Sequence, residues 1–190
     1  MKPRLQIIVT STREGRFGDK LGDWLYNFAQ NADMFEVELV DLAKIGLPLF
    51  DEPRHPRLHQ YEHEHTKSWS KIIERGDVYI FIIPEYDHLP PSSFVNAVTY
   101  LSKEWNYKAV SFLSYGGISG GIRAAETARL MVNAVKMVPI LETIPIPQCN
   151  QYVDESGNFK PNALIETSAK SVLDELLKLD NGLKIIRAKH

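Results

Sequence analysis

The stretch DVYIFIIPEYDHLPPSSFVNA, Asp77 to Ala97, decides the fold. Val78 to Ile83 are all apolar or aromatic and rich in β-branched side chains, entered at Gly76-Asp77 and stopped by Pro84. So short a run predicts a strand buried on both faces, the mark of a parallel sheet covered by helices. Glu85, Tyr86, Asp87 and His88 follow at once: an acid, a phenol, an acid and an imidazole. Ligands of open α/β sheets bind beyond the carboxyl ends of the central strands, so this cluster stands where a site belongs.

Upstream, Leu5 to Val9 predicts a first strand, and a polar loop from Thr10 to Gly18 leads into a helix. Leu21, Trp24, Leu25, Phe28 and Ala32 give that helix one apolar stripe. Phe35, Val37 and Leu39 alternate with Glu36 and Glu38, which suits an edge strand. Asp41 to His65 is a long connection, and a helical pattern resumes near Thr66 and closes at Gly76. Downstream, Pro91-Ser92-Ser93 opens a helix carrying Phe94, Ala97, Val98 and Leu101. Ala109 to Leu113 predicts a fourth strand, Ile122 to Ala134 a helix, and Met137 to Ile140 a fifth strand that Pro139 places at an edge. Pro145 to Pro161 reads as irregular and Asn162 to Leu179 as a last amphipathic helix. Strand and helix alternate five times. That pattern predicts an α/β, flavodoxin-like three-layer sandwich, a five-stranded parallel sheet in the order 2-1-3-4-5, with residues 1–190 as one domain.

The totals bound the function. A net charge of -2 gives no reason to expect nucleic acid or an anionic membrane as partner. Cys149 is the only cysteine, so no intramolecular disulfide can form. The apolar-leaning residues after Met1-Lys2-Pro3-Arg4 are too few for a signal-peptide core, and no run approaches a membrane span. The expectation is a cytoplasmic protein.

Three loops stand together at the carboxyl ends of strands one, three and four. The first offers the Ser11 hydroxyl, the Arg13 and Arg16 guanidinium groups, and the Phe17 and Gly18 amides ahead of a helix, a receptor for a phosphate dianion. It lacks both the dinucleotide turn and the P-loop pattern. The second runs through Pro84, Glu85, Tyr86 and Asp87. The third, Ser114-Tyr115-Gly116-Gly117 to Gly120-Gly121, lets backbone approach a flat ligand closely. Jointly they describe a flavin mononucleotide seat, with the phosphate on the first loop and the isoalloxazine between the other two. A phospho-receiver domain is excluded, because strand one ends Thr10-Ser11 and strand three ends Pro84-Glu85 rather than in aspartates.

With those residues in place the chain resembles the NADPH-dependent FMN reductase family, which includes azoreductases and quinone reductases. The resemblance rests on Ser11-Thr12-Arg13 with Gly15-Arg16, Gln60 to Lys67, Pro84-Glu85-Tyr86, Asn96-Ala97, and Ser114 to Gly117 continuing through Gly121 to Ala125. It implies bound FMN, NADPH or NADH as co-substrate, a small-molecule acceptor such as a flavin, quinone or azo compound, and a homodimer or homotetramer. It implies no catalytic acid, base or nucleophile, since the cofactor carries the chemistry. Three positions depart from the family's pattern. Asp87 stands where Asn is usual, and Leu89 and Ser92 where Gly is usual. A carboxylate beside the ring disfavours its reduced anion, and Leu89-Pro90-Pro91 narrows access.

Two other functions fit the sequence less well. An FMN-binding electron carrier would be strongly acidic, which -2 is not, and a cofactor-free binding protein would not need the Arg13 and Arg16 loop. His55, His59 and His63 have i, i+4, i+8 spacing, but Pro56 interrupts any common helix, so no metal site is expected. Tyr61 to Trp69 is a candidate subunit contact, and Trp105 and Tyr107 are expected to cap the core.

Overall fold

The structure, a computed structural model, describes residues 2–188; Met1, Lys189 and His190, the ends of the expected 1–190 span, lie outside the described residues. Val78–Pro84 form β3, and all its residues are buried. Alternation along this strand divides the core in two. Val78, Ile80 and Ile82 point into one apolar cluster, and Tyr79, Phe81 and Ile83 into another on the opposite face.

β1 (Arg4–Val9) pairs with β3 on one side, and β4 (Ala109–Tyr115) pairs on the other. β2 (Glu36–Asp41) pairs with β1 at the edge, more exposed than its neighbours, as its alternating charges predict. Every pairing is parallel, and the order is β2-β1-β3-β4-β5. α1 (Gly18–Ala32) and α6 (Ala163–Arg187) cover the Ile80 face. The short α2 (Leu42–Ile45) leads toward α3 (Glu64–Glu74), which with α4 (Ser92–Thr99) and α5 (Ile122–Ala134) covers the Phe81 face. This is the flavodoxin-like sandwich.

Four details differ from the sequence reading. The fifth place in the sheet is shared: β5 is only Val138–Pro139, and β6 (Ile144–Ile146) pairs with Leu113 to Tyr115 farther along β4. β6 falls partly in the segment expected to be irregular. Pro145 is accommodated because β6 lies at the sheet's edge, off the main strand path. α6 runs to Arg187, past Leu179, because Asp180 does not stop it. Asp180 is fully buried and accepts from Arg187 at 2.6 Å, with Lys184 at 2.9 Å. α4 ends at Thr99, so Leu101 is buried beyond the helix rather than on it. Trp69, the last residue of the stretch read as a candidate subunit contact or a solvated helix start, is a core residue whose indole donates to the Ala97 carbonyl at 2.9 Å.

Trp105 is fully buried, whereas Tyr107 is half-buried at the far end of the sheet. The long connection is held by side chains. The Glu52 carboxylate accepts from the Glu62 and His63 amides at 2.9 and 3.0 Å ahead of α3, and Asn96 bonds to Pro48 and Phe50. His65 meets Asp51 at 3.0 Å and stacks on His63.

Candidate functional site

The carboxyl ends of β1, β3 and β4 open on a cleft of about 540 Å³. Register places them level: Val9 lies opposite Ile82, and Pro84 opposite Tyr115. Arg13, Gly15, Arg16 and Phe17 form one wall, and Pro84, Glu85 and Tyr86 line the middle. Tyr115, Gly116 and Gly117 form the other wall.

The first loop is pinned from below. The Thr10 hydroxyl donates to the Ile82 carbonyl at 2.6 Å, and the Ser11 hydroxyl shares a 2.7 Å hydrogen bond with Tyr86. Ser11 thereby couples the first loop to the second. α1 then starts at Gly18, and among the described residues no side chain caps its first amides. Such a terminus holds unsatisfied N–H groups and the positive end of the helix dipole. A Cβ on Gly18 would come within 3.0 Å of the Tyr115 hydroxyl and 3.1 Å of Val9. The helix start therefore packs directly on β4's last residue.

Among the described residues that Tyr115 hydroxyl is buried with no hydrogen-bond partner at bonding distance, though the Ser11 hydroxyl lies near it, and burial pushes its pKa up. An orphaned buried donor beside an uncapped helix N-terminus fits an oxyanion, which would satisfy both. Arg13 stands exposed on the same wall and, among the described residues, makes no hydrogen bond or ion pair. The residues present fit a phosphate group.

Arg16 is engaged differently from the sequence reading, which placed its guanidinium on the phosphate. Nη1 donates to the Ser11 carbonyl at 2.7 Å, Nη2 to Asp41 at 2.7 Å, and Nε meets Asp19 at 2.7 Å. Its side chain is 11% exposed, as is that of Asp41. Burial works against the charge, but the two carboxylates outweigh it and raise the pKa. Arg16 is thus a three-way clamp joining the first loop, α1 and the end of β2, where Asp41 also caps α2.

The second loop turns sharply. Tyr86 and Leu89 exchange both backbone hydrogen bonds, at 3.0 and 2.9 Å, around Asp87 and His88. Both central residues have positive φ, 49° and 70°, as a type I′ turn requires and as non-glycine residues resist. Asp87 and His88 are exposed at the tip, and Leu89 is 53% exposed rather than tucked under it. Glycine at the second position would relieve strain of about 1 kcal/mol. His88→Gly is therefore expected to raise the Tm by about 3 °C in a thermal melt.

Glu85, which lines the cleft, has its carboxylate engaged by α5. Its carboxylate accepts from the Arg123 Nε at 2.7 Å near the start of α5. Burial pushes the carboxyl up, yet the Arg123 guanidinium outweighs it and holds the pKa below the usual carboxylate value. A depressed folded pKa contributes stability above the unfolded value of about 4.3 that is lost as pH falls below it. The Tm is expected to drop on acidification below about pH 4.5, and Glu85→Gln to flatten that drop.

In the third loop Ser114 lies behind the glycines, its buried hydroxyl donating to the Gly120 carbonyl at 2.8 Å. Gly120 packs on Pro147, where a Cβ would approach the backbone nitrogen to 2.9 Å. Gly117 faces open space, and a Cβ there would meet nothing within 4 Å. Of the residues predicted from sequence, Ser11, Gly18, Ser114, Gly120 and Asp87 thus support or flank the cleft rather than line it.

One wall was missed. Gln148, Cys149, Asn150 and Gln151 line the cleft from the turn after β6. The Gln148 amide donates to the Gly117 carbonyl at 2.8 Å, fastening this turn to the glycine loop. Burial pushes the Cys149 thiol pKa up, so it is a poor thiolate at neutral pH. The apolar alternation Ile144-Pro145-Ile146 was the available signal, masked by its prolines.

Comparison with known proteins identifies the family. A sequence profile of the family described as NADPH-dependent FMN reductase matches residues 3–151. An NAD(P)H-dependent FMN reductase of Schizosaccharomyces pombe is 30% identical over 149 residues, 77% of this chain and 74% of the relative. An NADPH azoreductase of a Bacillus species is 31% identical over 122 residues, 60% of this chain and 66% of the relative. Among solved structures, the flavoenzyme NAD(P)H:(acceptor) oxidoreductase FerB of Paracoccus denitrificans superposes with a TM-score of 0.76. The match covers 95% of this chain and 98% of FerB at 19% identity, a likeness of fold.

Proposed function

The chain belongs to the NADPH-dependent FMN reductase family, and from that premise we propose how its own residues serve an FMN-dependent NAD(P)H oxidoreductase. The observation that carries the reading is the meeting on one cleft of an α1 N-terminus, a Tyr115 hydroxyl and an Arg13 guanidinium that, among the described residues, have no cap, hydrogen-bond partner or ion pair. These groups hold the FMN phosphate. The cleft's volume of about 540 Å³ lies in the range of cofactor pockets. Backbone at Pro84 to Tyr86 would line one side of the ring, with Asp87 flanking it, and the amides of Gly116 and Gly117 would serve its pyrimidine edge. Tyr86 shapes the face on which substrate stacks. Gln148 to Gln151 close the slot.

Bound FMN supplies hydride transfer between a nicotinamide and an acceptor. The protein's part is to fix the ring, keep one face open and place N–H donors where negative charge develops. No side chain needs to act as acid, base or nucleophile. Residues 1–190 act as one FMN-binding domain. We place the homo-oligomer contact on the apolar surface of Val95 on α4 and Ile122 and Leu130 on α5, which are 38%, 50% and 72% exposed. The acceptor is a small molecule of the flavin, quinone or azo class.

Steady-state assays separate an enzyme from a carrier. With FMN present, NADPH consumption is expected to follow added quinone or azo dye over many turnovers. A single stoichiometric oxidation, with NADH equally idle, would leave only a carrier.

A further inference from the structure

A second cleft, of about 630 Å³, lies at the opposite end of the sheet from the site above. Its walls come from the start of β4, the end of α3, and the turn between α5 and β5. Lys103, Lys108, Lys136 and Arg187 line it, against the carboxylates of Glu74 and Glu104. Those charges do not cancel within the cleft. Arg187 is taken up by Asp180 at 2.6 Å and Asp77 at 3.6 Å. Glu104 is spent on the interior, accepting from Ser70 at 2.7 Å and Tyr61 at 3.1 Å, with His59 at 3.4 Å. Among the described residues, the Glu74 carboxylate meets only His59, at 3.9 Å.

The three lysines, by contrast, have no carboxylate partner among the described residues. Lys108 is buried, and its ammonium donates to the Ile73 and Glu74 carbonyls at 2.9 and 3.2 Å and to the Tyr79 hydroxyl at 3.0 Å. Lys136 lies over the Tyr107 ring, 5.5 Å from its centroid. Lys103 is exposed on the rim. On a protein of net charge -2, three ammonium groups with no ion-pair partner, set against the Glu74 and Glu104 carboxylates, leave this cleft with a local positive excess. The backbone is also shaped for this concavity. His59, Tyr107 and Lys136 all line it and have positive φ, 54°, 58° and 58°. Such strain in non-glycine residues gathers where surrounding structure imposes it, often at sites.

We propose that this cleft binds a small polyanion of the phosphate class, held by Lys103 and Lys136 over the Tyr107 ring, with Lys108 supplying charge from beneath. Concavity favours a small ligand over an acidic protein surface. Its distance along the sheet makes it separate from the FMN seat: none of its lining residues belongs to the three loops.

Lys108 also provides a reporter. Burial, with Arg187, pushes its pKa down to about 8, against the opposing pull of Asp77, Glu74 and Glu104. A bound anion would draw it up again. The other titratable and charged groups facing the cleft are His59, Glu74, Lys103, Glu104, Tyr107, Lys136 and Arg187.

The test uses FMN-saturated protein, so that the phosphate seat of the first cleft is filled, titrated with inorganic pyrophosphate by calorimetry. Saturable binding is expected, weakened about tenfold or more in Lys103→Ala/Lys136→Ala. FMN affinity and the thermal melt of that double variant should match the parent. The Lys108 side-chain nitrogen resonance should titrate at higher pH when pyrophosphate is present. No binding to the FMN-loaded protein, or binding that the double variant leaves unchanged, overturns the proposal. Binding abolished by FMN itself would assign the anion to the first cleft and overturn it equally.

Discussion

Arg16→Met is expected to destabilise the protein by about 3 kcal/mol, a Tm lower by about 9 °C, and to weaken FMN binding with it. Methionine keeps the hydrocarbon stem but removes three bonds, to Ser11, Asp41 and Asp19, and strands a largely buried Asp41 carboxylate. Breaking one side of a buried pair costs more than the pair is worth, because the remaining charge is left desolvated. The Ser11 carbonyl is freed as well, so the loop ahead of α1 loses its shape. Arg13→Met is the contrast. Arg13 is exposed and unpaired among the described residues, so its loss should change the melt by less than about 0.5 kcal/mol. Its loss should nevertheless raise the FMN Kd about thirtyfold, the equivalent of one charge-assisted hydrogen bond of about 2 kcal/mol. Circular-dichroism melts and FMN fluorescence titrations on the two variants separate the roles. Equal melts, with equal loss of affinity, would return Arg16 to the phosphate.

Gly121→Ala is expected to cost about 3 kcal/mol or more, and with it the ordered glycine loop. Gly121 caps α5 at φ 78°, where an L-residue is strained by roughly 1–2 kcal/mol. A Cβ there would also lie 2.7 Å from the Tyr115 nitrogen and 2.8 Å from its oxygen. Those atoms are strand backbone and cannot swing aside, so β4 or α5 must move. Because Gly116 and Gly117 follow Tyr115 directly, FMN affinity should fall together with the melting temperature. Gly117→Ala, with open space around it, should leave the melt unchanged and affect only the ligand.

The fold was legible because its signals are local. Val78 to Ile83 announce a buried strand by composition alone, and the three loops are marked by residues adjacent in sequence to strand ends. What escaped depends on partners far along the chain. Arg16 looked like a phosphate ligand because nothing near it reveals Asp41, 25 residues on, as its partner. β6 was hidden by Pro145 and Pro147, whose missing donors matter little at a sheet edge. Asp180-Asn181-Gly182 resembles a helix stop, yet Lys184 and Arg187 neutralise the buried Asp180 one and two turns later. The wall at Gln148 to Gln151 follows from β6 and was lost with it.

The most direct measurement is to titrate the purified protein with FMN and then add NADPH without oxygen, following the flavin's visible band. Tight FMN binding followed by rapid bleaching is the predicted result. It would also show that Asp87 and Leu89 do not block reduction. Failure to bind FMN at micromolar concentration would contradict the account, leaving the orphaned Tyr115 hydroxyl and the uncapped helix without their ligand.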